Sequence, residues 1–210
     1  MATKTGSFPK LSLPIVGLGM FGMALSWILT PKYGPWMANA VTATPILLAA
    51  FVWGETARNL QLSRLALVSS IAVGFAFLLL SWLVVPLFAS VFPSLGIETR
   101  QLYTILNRPP GPLRAFPILL LTAATEEVVW RAELVTWLQK RTGAWVTVAV
   151  ATLSYSLPIA ASQSMLLFAV GNAFGVVFTL LRLLTGSWTA PLLAHVIWAL
   201  GIFVIRPISV

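Results

Sequence analysis

The sequence predicts an all-α, polytopic membrane protein, a bundle of about seven transmembrane helices. Three observations lead there. Of its 210 residues, 59% are hydrophobic and 9% charged, with nine Trp and twelve Phe, whereas soluble domains carry about 25% charged residues. Apolar runs of roughly 20 residues recur along the chain, the length that crosses a hydrocarbon core as a helix. The charges fall singly or in pairs between those runs, where loops meet headgroups. A soluble all-helical protein of this length could not hide so much apolar surface.

The first ten residues resemble the charged start of a signal peptide. Span 11–30, however, is long, lacks a clear cleavage site and leads into further apolar segments, so it reads as a retained anchor. Pro31, Gly34 and Pro35 break it. The second span, 36–54, carries Pro45 as a kink, and 55–64 is a polar connection. The third, 65–92, is the longest apolar stretch; Pro86 bends or ends it, and it remains one span because two need about 40 residues. The interval 93–114 is polar, with Glu98, Arg100, Arg108, Arg114 and a Pro-Pro-Gly-Pro run. It is a short interfacial helix or a simple link.

The fourth span, 116–139, closes on Lys140, Arg141 and Gly143, a helix C-terminal pattern. The fifth covers 144–161, with Ser154, Ser156 and Pro158 in its second half, and a tight turn at 162–163 follows. The sixth, 164–184, offers Gly171 and Gly175 as a small-xxx-small face. The seventh is 188–204. The expected organisation is one membrane domain, 1–210, with three helices in 11–92 ahead of a core at 115–205. With seven spans, Lys4, Lys10, Arg58, Arg64, Lys140, Arg141 and Arg182 share one side, which favours a cytoplasmic N-terminus. The location expected is a cytoplasmic membrane, and small size suggests a bacterial one.

The net charge of +8 fits contact with anionic headgroups; no basic stripe or motif points to nucleic acid. The absence of Cys excludes disulfides and thiolate catalysis.

Glu126 and Glu127 stand adjacent inside the fourth span. Burying such groups costs several kcal/mol unless charge is shared or neutralised. Glu127 and Arg131, four apart, share a helix face with the acid first, the favourable order. Glu126 lies about a quarter turn away and is reached less readily by Arg131, which suggests that Glu126 reacts while Glu127 orients. His195, the single histidine, sits within the seventh span, where it could donate to an oxyanion or position a water. Blander roles compete: a structural ion pair for the glutamates and arginine, and packing hydrogen bonds for His195, Ser154, Ser156 and Asn172.

Several mechanisms lack their residues. One histidine and two adjacent glutamates make a poor zinc set, so no metal and no other cofactor is expected. No aspartate exists for aspartyl chemistry, and no Gly-x-Ser-x-Gly elbow supports serine chemistry.

The segment Glu-Glu-Val-Val-Trp-Arg at 126–131 resembles the Glu-Glu-x-x-x-Arg motif of the CPBP family, the CAAX prenyl endopeptidases and bacteriocin-processing proteins. Residues 186–195, a small turn followed by Pro191 and His195, are similar to that family's last conserved helix, and 168–175 falls where it places a glycine-containing helix. The resemblance spans roughly 116–199. It implies a glutamate-dependent intramembrane peptidase without an obligatory metal. Glu126 is then the general base, Glu127 and Arg131 support it, and His195 is the oxyanion donor. Two positions depart from the pattern. Ile159 stands where a water-binding histidine is expected, four after Tyr155, and Ala199 where an asparagine or aspartate is expected, four after His195. Tyr155, Ser156 and Asn172 are the candidates to compensate.

Two functions follow: an endopeptidase cleaving a membrane-associated polypeptide, or a catalytically degenerate relative that binds a membrane peptide or protein. A proton-coupled carrier is a third class, but it wants charges on more helices. Catalysis predicts Glu126 and His195 at one wet cavity, roughly 5–8 Å apart.

Overall fold

The computed structural model describes residues 11–56 and 60–210. Lys4, Lys10 and Arg58, used above for orientation, lie outside the described residues. No strand occurs among the described residues.

Helix α1 (Ser12–Tyr33) and α2 (Pro35–Trp53) form a hairpin. The break falls at Gly34, within the expected 31–35 interval, and Pro31 stays inside α1. Proline fits a helical φ and removes only one backbone donor, whereas Gly34 takes φ +78°, a region open to glycine. Pro35 then opens α2 at a first-turn position where its missing N–H costs nothing. Ser63 caps α3 (Arg64–Val91), its hydroxyl accepting from the Ala66 N–H at 3.1 Å. The buried residues of α3 are Ala66, Ser70, Gly74 and Leu78. That stripe, one residue every four, packs on α9 (Thr189–Ala199); the remaining faces of α3 are apolar and outward, as lipid requires.

The polar interval contains a true helix, α4 (Pro93–Leu106). It is held by side-chain bonds: Glu98 accepts from Ser164 Oγ at 2.7 Å and from the Leu166 N–H at 2.9 Å. Its carboxylate thereby caps α8 (Met165–Thr185).

The fourth expected span is one continuous rod with a change of pitch. α5 (Phe116–Glu127) runs into a π-helical segment, Val128–Leu134, and out through α6 (Val135–Gln139). Every residue of the π segment is buried, and it touches α1, α2, α7 (Ala144–Ile159) and α8. It is the axis of the molecule. A 3₁₀ turn, Ala160–Ser162, and a left-handed Gln163 (φ 57°) join α7 to α8. The two helices pack closely because Gly175 meets Thr152 and Gly171 meets the Ile159 side chain, with no room for a Cβ at either. α9 continues into a second π segment, Leu200–Ile205.

Among the described residues, five helices are long and apolar enough to cross a membrane: Ser12–Tyr33, Pro35–Trp53, Arg64–Val91, Ala144–Ser162 and Met165–Thr185. The other two expected spans differ in kind. The rod 116–139 contains Glu126, Glu127, Arg131 and Glu133, of which the last three are buried among its neighbours, and Thr189–Ile205 is a shorter apolar helix. Large hydrophobic side chains such as Phe21, Leu83 and Leu153 cover the outside. The chain is an integral membrane protein.

Candidate active site

The adjacent glutamates mark the junction where α5 becomes π-helical. Such widened turns occur often at functional sites, since they re-aim side chains by a fraction of a turn. Glu127, Arg131 and Glu133 are all 0% exposed, and Arg182 is 3% exposed, so each must find its compensation inside the protein.

Glu127 lies between two partners. Its Oε1 is 2.9 Å from His195 Nδ1 and accepts from Arg131 Nη1 at 3.4 Å. Its Oε2 faces Arg131 Nε at 3.3 Å as charge against charge, without hydrogen-bond alignment. An ionised carboxylate only accepts, so His195 donates from Nδ1 and its Nε2 is the remaining ring nitrogen. Arg131 is held in turn: Nη2 donates to the Phe174 carbonyl at 2.8 Å, and the guanidinium lies 4.7 Å from the Tyr155 ring centroid. Phe174 packs edge-on against the imidazole with centroids 5.1 Å apart.

Glu126 has a separate partner. Its Oε2 accepts from the Tyr155 hydroxyl at 2.6 Å. Trp130 packs edge-on against that tyrosine ring at 5.0 Å and fixes its direction. A cavity of about 160 Å³ opens beside these groups, lined by Glu126, Tyr155 and His195 and otherwise mostly by apolar side chains. Ile159 and Ala199, where the resemblance led to the expectation of polar side chains, both line it.

The other two compensation candidates are elsewhere. Ser156 donates to the Thr152 carbonyl at 2.9 Å, and Asn172, which is half-buried, donates to the Phe168 carbonyl at 2.8 Å. Neither lines the cavity.

Two supporting groups are not foreseen from the sequence. Glu133 accepts from Ser12 Oγ (2.7 Å), the Glu55 N–H (2.6 Å) and Thr56 Oγ1 (2.9 Å), tying the π segment to α1 and to the end of α2. Its signal was available: a third carboxylate in one apolar rod. Arg182, expected among the charges flanking a membrane span, is buried instead. Its Nε donates to the Arg131 carbonyl at 3.2 Å and Nη2 to Thr136 Oγ1 at 3.3 Å. It braces the π segment, whose altered pitch leaves carbonyls in need of donors.

Residues 109–201 match the family described as Type II CAAX prenyl endopeptidase Rce1-like. Over these 93 of its 210 residues the chain is similar to the Rce1-like family. The matched segment holds α5 to α9 with Glu126, Glu127, Arg131, Tyr155 and His195; α1 to α4 lie ahead of it. No curated protein and no solved structure matches the chain. That similarity points to a membrane protease as the coarse functional class.

Proposed function

We propose that the protein is a glutamate-dependent intramembrane endopeptidase acting on a membrane-associated polypeptide, with residues 115–205 as its peptidase core. The observation that carries this is the meeting of Glu126, its Tyr155 partner and His195 at one cavity.

Charge counting supports the assignment of roles. Glu126, Glu127 and Arg131 together leave a net charge of about −1, which a low-dielectric interior disfavours. One further proton, shared between Glu126 and His195, makes the cluster neutral. With that proton on His195 Nε2, Glu126 is a carboxylate with Tyr155 on one oxygen and the other free. Glu126 then takes a proton from water as the water oxygen attacks the peptide carbonyl carbon. Nε2–H donates to the developing oxyanion. When the intermediate collapses, the C–N bond breaks and Glu126 returns its proton to the leaving amine. Tyr155 stands in for the absent imidazole at Ile159 by holding Glu126, without itself taking a proton.

A second reading has its own support. Ile159 and Ala199 make two cavity positions apolar, which suits a relative that binds a peptide without turnover. One experiment separates the two: purified protein in lipid nanodiscs, incubated with a library of membrane-tethered peptides, wild type beside Glu126→Ala and His195→Ala. Cleavage by the wild type that both substitutions abolish is the expected result. Cleavage surviving both would sink the mechanism, and peptide retention without cleavage, unchanged by Glu126→Ala, would establish the scaffold.

A further inference from the structure

A smaller cavity of about 30 Å³ adjoins the first, between α1, α2 and the α5 rod. Ser26, Asn39, Thr122 and Glu126 line both cavities. A water needs roughly 10–15 Å³ of such space together with two or more polar partners, so this recess accommodates one or two waters beside Glu126. Three of its hydroxyls are already committed as donors: Ser26 to the Met23 carbonyl, Thr122 to Ile118 and Thr125 to Leu121. Asn39 is not. Its backbone carbonyl receives the Thr42 hydroxyl, but its side-chain amide has no hydrogen-bond partner among the described residues. A half-buried amide facing a recess without a protein partner marks a place for water.

We propose that Asn39 holds the attacking water for Glu126, making α2, which lies outside the family match, part of the catalytic apparatus. This rests on the peptidase reading above. One water O–H points to Glu126 and becomes the transferred proton. The other is donated to Asn39 Oδ1, which turns the oxygen lone pair toward a carbonyl in the larger cavity. Asn39 gains and loses no proton. The arrangement explains how Glu126 keeps a bound water although Ile159 offers it nothing. The small recess supplies a second polar contact from the opposite wall.

The test compares full-length wild type with Asn39→Leu, similar in volume and without polar atoms, and with Thr44→Ala on the outer face of α2 as a control. The first measurement is a structure of each that resolves ordered water. The expected result is a water within hydrogen-bond distance of both Glu126 and Asn39 in the wild type, lost in Asn39→Leu with the helices in place. The second is cleavage of a membrane-tethered peptide. Asn39→Leu should lower kcat by about 10²-fold with little change in KM, as for a misplaced reactant, and Thr44→Ala should match the wild type. A dry recess in the wild type, water retained in Asn39→Leu, or an unchanged kcat would each overturn the proposal. Should the wild type cleave no peptide, the peptidase reading falls by itself, and the water density still decides whether Asn39 is a water site.

Discussion

At the scale of single residues, two neighbouring carboxylates have opposite dependencies on their surroundings. Glu127 is the counter-charge for Arg131 and the anchor of His195, whereas Glu126 touches only Tyr155 and cavity space. Glu127→Gln therefore leaves a buried guanidinium without its carboxylate and should cost about 3–5 kcal/mol of stability, read as a lowered thermal midpoint in detergent. Glu126→Gln removes a charge that has no salt bridge and should change stability by only about 1 kcal/mol while abolishing cleavage. Equal destabilisation by the two would contradict this division. Tyr155→Phe keeps the ring against Trp130 and Arg131 but removes the donor to Glu126; cleavage should fall roughly 10²-fold without loss of fold. Ile159→His in that background should recover part of the rate. No recovery would mean that Tyr155 and position 159 do not serve the same carboxylate.

At the scale of elements, the site depends on one change of helical pitch. In an unbroken α-helix Glu126 and Glu133, seven apart, would share a face. The π segment rotates Glu133 away, toward α1 and the end of α2, and leaves Glu126 on the cavity. Glu133→Ala removes an acceptor shared by three donors, of which Thr56 retains the Ala50 carbonyl, and unpaired buried groups cost about 1–3 kcal/mol each; a loss on the order of 3 kcal/mol should appear in unfolding. Close packing of α7 on α8 sets the tyrosine. Gly175→Ala drives a Cβ into the Thr152 backbone, so it should cost about 1–3 kcal/mol by overpacking and lower cleavage by moving Tyr155 from Glu126. Retained stability with full cleavage would show that α7 can shift freely.

These elements also divide what the sequence reveals from what it hides. The apolar runs, the motif carboxylates and the lone imidazole were legible because each is a large deviation from the local composition. The pitch change was not, since residues 128–134 keep an ordinary helical pattern and tertiary contacts impose the wider turn. The break between the first two helices was legible in the 31–35 interval, although only Gly34 and Pro35 make it and Pro31 continues the helix. Arg182 looked like a flanking charge because its partners, a carbonyl and a threonine hydroxyl, carry no charge to advertise the pairing. Glu98 looked like linker polarity, although its target is the start of a helix more than sixty residues on.

At the scale of the molecule, the architecture is inverted relative to a soluble protein. Large apolar side chains cover its outside, and three of its buried charges, Glu127, Arg131 and Glu133, sit on the central rod. The α1–α2 hairpin lies outside the family match yet packs on the rod and lines part of both cavities. The central claim is that Glu126 and His195 act together on one substrate. The most direct measurement is kcat on a cleaved membrane-tethered peptide for wild type, Glu126→Gln, His195→Ala and the double variant. Groups that act as a unit are strongly non-additive, so each single substitution should remove nearly all turnover and the double should be no slower than either. Independent losses that multiply in the double variant, or wild-type turnover in either single one, would contradict the account.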